Sequence, residues 1–410
     1  MQQPALKRSL SLVMLVLYGL GTTIGAGIYV LIGKVAGAAG VYAPLAFVLA
    51  ALVAVPTALS FGALAARFPK SAGEAIYVEA AFGRPRLSTL TGLAVIFVGL
   101  VSSAAISSGA VGYLQNLIAL PLWLCLLLVI AALTLVAIWG ISESVIVTAA
   151  ATVAEVGGLV LVVWSGRGGL DMARLSDVAA AAPPLPDLGI VGILSGAVLA
   201  FYAFIGFQDM VNLSEEVREP SRTVPAAIVL TLGITMILYV LVALVAVTAL
   251  PIDKLAASAA PVSEIFQRLT GLPTRAFEVM VIAAVANGAL VQIILVSRVL
   301  YGLARQGWLP AAFGAVAGRT RTPVFATVVT SAVIFAVALL FPLETLARIA
   351  SLFTLLIFAI VNLSLLRLRG RDSAGVRTPH LPSAVPLAGL VLSLALAGFQ
   401  IAAFLGGVAS

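Results

Sequence analysis

The chain has 410 residues, 62% of them hydrophobic and 10% charged, with a mean hydropathy of +1.18. Soluble domains have about 45–50% apolar and about 25% charged residues, so this chain has too few charges to cover a water-facing surface and far too many apolar residues for a disordered one. The net charge of +7 then reads as basic loops beside a membrane rather than as a nucleic-acid partner.

The apolar runs are of helix length, roughly 20 residues, and not the ~10-residue alternating segments of a barrel. They predict an all-α polytopic membrane protein with eleven spans, at about 12–36, 41–66, 88–116, 120–140, 144–165, 189–213, 224–249, 276–303, 323–341, 345–366 and 384–406. Lys7 and Arg8 precede the first run as in a secretory signal, but that run is too long and is interrupted by glycines, which favours a retained helix. With the N-terminus cytoplasmic, 16 of the 23 Lys and Arg residues fall on the inner side and 7 on the outer, which supports that orientation. Arg greatly outnumbers Lys and Ala is abundant, as in a GC-rich bacterial genome, for which the membrane is the inner one.

The first span contains Gly21-Thr22-Thr23-Ile24-Gly25-Ala26-Gly27-Ile28-Tyr29. Each interior glycine costs about 1 kcal/mol of helix stability relative to alanine. Gly21 and Gly25 fit a close-packing face of the small-xxx-small type. The sharper reading is a discontinuous helix, whose unwound backbone and half-helix N-terminus suit a carboxylate. In the third span, Gly99, Ser103 and Ser107 recur at four-residue steps and read as a packing face. Cys125 lies in the apolar fourth span and, as the single cysteine, cannot close an internal disulfide.

Glu155 falls near the middle of the fifth span. A short carboxylate cannot snorkel from there, so it must be protonated, paired or water-exposed. It is a candidate proton carrier; the alternatives are a permanently protonated hydrogen-bonding acid and a ligand for a hard cation such as Na+. The sixth span contains Phe201-Tyr202-Ala203-Phe204-Ile205-Gly206-Phe207-Gln208-Asp209, a second poor membrane helix. Interrupted segments at corresponding positions of two halves point to an inverted repeat with a binding site between them. The repeats would run over about 10–166 and about 187–367 of a single transmembrane domain, 1–410, with an added helix at about 384–406. The loop from Ser214 to Pro225 is charged and proline-punctuated, either a gate of ion pairs among Glu215, Glu216, Arg218 and Arg222 or a solvated connection, and Pro225 fits the first turn of the seventh helix. Asn287 and Gln292 are polar groups within the eighth span, and His380 sits in a polar loop.

GTTIGAGIY in the first span, FYAFIGFQDMVNLSEEVREPSRTVP in the sixth and Ser297 to Pro310 at the end of the eighth resemble, in that order, the amino acid–polyamine–organocation (APC) superfamily. The resemblance implies a LeuT-type fold of five plus five inverted helices, broken in helices 1 and 6, around a mid-membrane substrate site. By that analogy, backbone groups of Thr23, Ile24, Gly25, Ala26, Gly27 and Ile28 hold an amino acid carboxylate. Carbonyls of Ala203, Phe204 and Ile205 hold its ammonium, Tyr202 or Phe204 covers it, and Ser107 and Asn287 line the site. Proton-dependent members have a lysine where this chain has Glu155, and arginine/agmatine-type antiporters have a carboxylate where it has Gln208. Gln208 cannot titrate, and the neighbouring Asp209 is rotated ~100° around a helix, towards another cavity or the inner vestibule. Glu155 and Asp209 are thus the coupling candidates.

The resulting expectation is a permease working by alternating access, taking up neutral amino acids with protons rather than Na+. Its rivals are an exchanger of amino acid against amine, and a substrate-gated channel or sensor. The sequence calls for no cofactor or metal, and it contains no nucleophile–base pair or nucleotide loop suggesting an enzyme.

Overall fold

The computed structural model describes residues 10–70, 73–139, 141–169, 185–305, 309–318, 320, 322–369 and 381–405. His380, Lys7, Arg8 and part of the motif closing the eighth span, at 306–308, lie outside the described residues. The described chain is helical, and each expected span is matched by helix to within a few residues. Among the described residues, nine helices are long and apolar enough to cross a membrane. The two shorter elements belong to the first span, which opens with Leu12–Thr23, and to the ninth, Val324–Leu340.

The first span is not one helix. Leu12–Thr23 stops, Ala26–Tyr29 restarts it, and Leu31–Ala39 completes it. The second span, Ala43–Arg67, follows after one short turn. The third to fifth are Pro85–Leu117, Leu122–Trp139 and Ile141–Gly166. The sixth runs as Leu185–Tyr202, breaks, and continues as a 3-10 segment, Phe207–Glu216. The seventh, eighth, tenth and eleventh are Pro220–Ala249, Arg275–Arg305, Leu343–Leu368 and Ala384–Leu405. Three shorter helices lie between spans: Gly73–Phe82, Ile252–Ala257 and Pro261–Thr270.

The seventh helix begins four residues earlier than expected. Pro220 takes its first turn, where a missing N–H costs nothing, and Pro225 lies inside the helix, packed against Gly62 of the second span. The loop before it is tied to the N-terminal segment through backbone: Leu10 N–H donates to Glu216 C=O at 3.0 Å and Arg218 N–H to Leu10 C=O at 3.0 Å.

Packing partners recur in matched sets. The second span packs on the seventh and the third on the eighth. The opening half of the first packs on the seventh and fifth, and the opening half of the sixth packs on the second and tenth. The fifth packs on the eighth as the tenth packs on the third. Ser103 Oγ donating to Ala289 C=O at 3.2 Å is one seam of the third–eighth contact, as the spacing of Gly99 and Ser103 predicts. Outside these ten spans, the eleventh is held against the tenth, where Gly389 leaves room for the Asn362 amide. Asn362 in turn bonds Ser60 and Thr57 of the second span, at 2.7 and 2.8 Å.

Candidate functional site

The two breaks face one another. In the first span, Ile24 and Gly25 are extended, with Gly25 at φ 167, ψ −138. The helix restarts as Ile28 and Tyr29 N–H donate back to Gly25 C=O at 3.2 and 3.1 Å. Among the described residues, the N–H groups of Gly25, Ala26 and Gly27 have no backbone acceptor, the expected state of a helix beginning. The Thr23 hydroxyl beside them is buried without a hydrogen-bond partner. The sixth span passes through tight turns, with Ala203, Phe204 and Ile205 N–H reaching back three residues. Among the described residues, the carbonyls of Phe204 and Ile205 accept no backbone hydrogen bond.

The glycines divide by role. A Cβ at Gly27 would overlap Ala203, and one at Gly206 would overlap the carbonyl of Thr22. These two positions let the breaks touch, and Gly206 in addition has φ 132, which a side chain rarely tolerates. A Cβ at Gly21 would overlap Thr152 of the fifth span, so Gly21 is the packing glycine of the motif. Gly25 differs: it is buried, yet a Cβ there meets nothing within 4 Å. It is the glycine that borders open space between the breaks.

Tyr239 of the seventh span holds the breaks together. Its hydroxyl lies 2.9 Å from Thr23 C=O and 3.0 Å from Ala203 C=O, so one O–H serves both broken helices. Nothing in the local sequence marked it, since a tyrosine in an apolar helix has no motif; its role exists only once three spans meet. Tyr239→Phe leaves two buried carbonyls without their donor, a cost of about 1–3 kcal/mol. Substrate affinity measured on the purified variant is expected to fall by roughly 5- to 150-fold, and wild-type affinity would remove Tyr239 from the site.

The remaining predicted residues distribute unevenly. Tyr202 is buried and its hydroxyl donates to Ser102 C=O of the third span at 3.2 Å, which places its ring between the sixth and third spans. Phe204 is fully buried, and its ring packs against that of Tyr239, centroids 5.2 Å apart. Ser107 is buried with an unpartnered hydroxyl. Glu155 is fully buried, and among the described residues neither carboxylate oxygen has a hydrogen-bond partner. Its backbone carbonyl accepts from Tyr29 O–H at 2.5 Å, which fixes the fifth span to the restarted first helix. Asn287 of the eighth span is the polar side chain facing Glu155; it too is buried with both amide atoms unpartnered, and it lies beside Gly21 and Thr152.

Asp209 is not part of this group. Its carboxylate accepts from Gln292 Nε2 at 2.9 Å and lines a separate cavity with Glu74 and Gln208. A roomier cavity, about 390 Å³ between the fourth, eighth and ninth spans, touches neither break.

Taken together, the breaks present unpaired donors on one side, unpaired carbonyls on the other and space between them. That is complementary to a small zwitterion: carboxylate to the N–H groups, ammonium to the carbonyls. A family model described as amino acid permease matches residues 10–409. An uncharacterized transporter of Mycobacterium tuberculosis is 37% identical over 96% of this chain and 86% of its own length. A branched-chain amino acid permease of Bacillus subtilis is 27% identical over 96% of this chain and 88% of its own. A vacuolar cationic amino acid transporter of Arabidopsis thaliana is 30% identical over 90% of this chain and 65% of its own.

Proposed function

This chain belongs to the amino acid permease family, and from that premise we propose that it is a secondary active transporter taking up neutral amino acids with protons by alternating access. The substrate carboxylate sits on the N–H groups of Gly25, Ala26 and Gly27 with the Thr23 hydroxyl, and the ammonium on the carbonyls of Phe204 and Ile205. The facing breaks are the observation that carries this reading. The matched packing of the two sets of five spans supports an inverted repeat of the LeuT type, which provides two related halves to rock about a fixed site.

Glu155 carries the proton in this reading. Burial without an ion partner supports it, because a lone charge at that depth is costly and a proton removes it. Asn287, Thr152 and the Tyr29 ring surround it between the first, fifth and eighth spans, so a change in its charge acts directly on the broken first helix. The protein lies in the inner membrane with its N-terminus cytoplasmic. The same unpartnered carboxylate favours one second reading, a substrate with a cationic side chain.

Uptake of a panel of labelled amino acids into proteoliposomes, with and without an inward proton gradient in sodium-free buffer, tests the proposal. Gradient-driven accumulation of neutral amino acids is the expected result. Accumulation of lysine or arginine alone would establish the second reading, and transport only into preloaded liposomes would establish an exchanger.

A further inference from the structure

A second polar cluster lies just beyond the break of the sixth span, on the face that carries the N-terminus; Gln208 Oε1 accepts from Gly206 N–H at 2.9 Å. There a cavity of about 20 Å³ is lined by Glu74, Asp209, Gln208, Gln292 and Thr354 among apolar neighbours. That is room for about one water. Glu74 is 3% exposed and Asp209 4%, and Thr354, 2% exposed, brings a hydroxyl with no hydrogen-bond partner into the same cavity. Glu74 comes from the short helix Gly73–Phe82 between the second and third spans, Asp209 from the 3-10 segment of the sixth. The two elements are joined by a backbone-to-side-chain hydrogen bond, Gly73 N–H donating to Asn212 Oδ1 at 3.3 Å.

We propose that Glu74 and Asp209 form a second proton-binding site, holding one proton between them while this face of the transporter is closed and releasing it as the face opens. Two carboxylates facing one water-sized cavity repel each other when both are ionised, and no cation lines the cavity to offset them. Gln292 satisfies one oxygen of Asp209 but carries no charge. Among the described residues, neither carboxylate makes an ion pair. Tyr77 and Glu79 lie on the Glu74 helix, and Arg367 of the tenth span sits over Phe82 at that helix's far end. Tyr18 of the first span lies near Asp209, with Glu216 and Arg298 around it. Burial pushes the Glu74 carboxyl up to about 7, the Asp209 carboxylate adding in the same direction against an opposing backbone hydrogen bond.

The sign follows from linkage. The closed state holds the proton more tightly than an open, hydrated one. Raising the pH therefore shifts the equilibrium towards opening, by up to about tenfold per pH unit for a single proton, until the closed-state carboxyl has titrated near pH 7, above which the shift levels off. This does not rest on Glu155: the pair responds to pH on the inner side whichever ion drives uptake.

The test is substrate counterflow in proteoliposomes with equal pH on both sides, from acid to alkaline. The wild type is expected to show a rate that rises with the slope of one proton about a midpoint near pH 7. Glu74→Gln removes the slope, and Glu74→Asp keeps it with a displaced midpoint. A Glu74→Gln profile that coincides with the wild type would overturn the proposal. So would a wild-type profile that moves with sodium concentration, which would make the occupant a sodium ion. If Glu74→Gln does not reach the membrane, hydrogen exchange of the wild-type 73–82 segment decides, after correction for intrinsic rates. Protection in acid that is lost in alkali is expected, and equal protection at both would refute the shared proton.

Discussion

Replacing Gly25 with leucine is expected to leave the protein folded and to abolish substrate binding. Its backbone is extended, at φ 167, which any residue adopts, and a Cβ there meets nothing within 4 Å. The leucine side chain therefore enters the space between the breaks rather than the packing around it. It covers the N–H groups of Gly25, Ala26 and Gly27, and in the proposed site each of these donates to the substrate carboxylate a hydrogen bond worth about 1.5–3 kcal/mol. Losing two of them weakens binding by at least roughly a hundredfold. The comparison that gives the result its meaning is Gly27→Leu, where the added atoms collide with Ala203. That variant is expected to lose its monodisperse elution in detergent along with binding. Normal affinity in a well-folded Gly25→Leu protein would remove the site from the first break.

Glu155→Gln is expected to separate transport from its driving force. Glutamine fills the same volume and keeps hydrogen-bonding capacity towards Asn287, so the fifth span stays seated on the first and eighth. It cannot bind or release a proton. Accumulation driven by a proton gradient should fall at least about tenfold, the effect of one pH unit for a one-proton step, while counterflow of substrate continues. Measuring both in the same liposomes distinguishes this from simple damage, which lowers the two together. Undiminished gradient-driven accumulation would give Glu155 a purely structural place between the first and eighth spans.

Much of the site was legible in the sequence because a broken membrane helix has a local cause. Glycines and threonines in the first span, and Gly206 among aromatics in the sixth, weaken helix wherever the chain goes, and both breaks stand where those residues stand. What each glycine does was not legible. Gly21, Gly25 and Gly27 are alike in sequence, but one faces Thr152, one faces space and one faces Ala203. Phe204 and Tyr202 read alike as candidate covers, and only the packing sets Phe204 against Tyr239 and Tyr202 towards the third span. The start of the seventh helix was misplaced because two prolines compete for its first turn, and Pro220 comes first.

Sequence by itself determined the class of protein, the eleven spans and the two interruptions. In lipid every backbone polar group must be satisfied within its own segment, so length, hydropathy and glycine content act locally and can be read locally. Only the tertiary structure decided which groups meet. Tyr239 spans both breaks from a third helix, Asn287 faces Glu155 across more than a hundred residues of chain, and Asp209 turns from Glu155 to Glu74. These pairings depend on which faces of long apolar helices pack together. Nearly uniform hydrophobicity around a helix leaves no periodicity to reveal that choice.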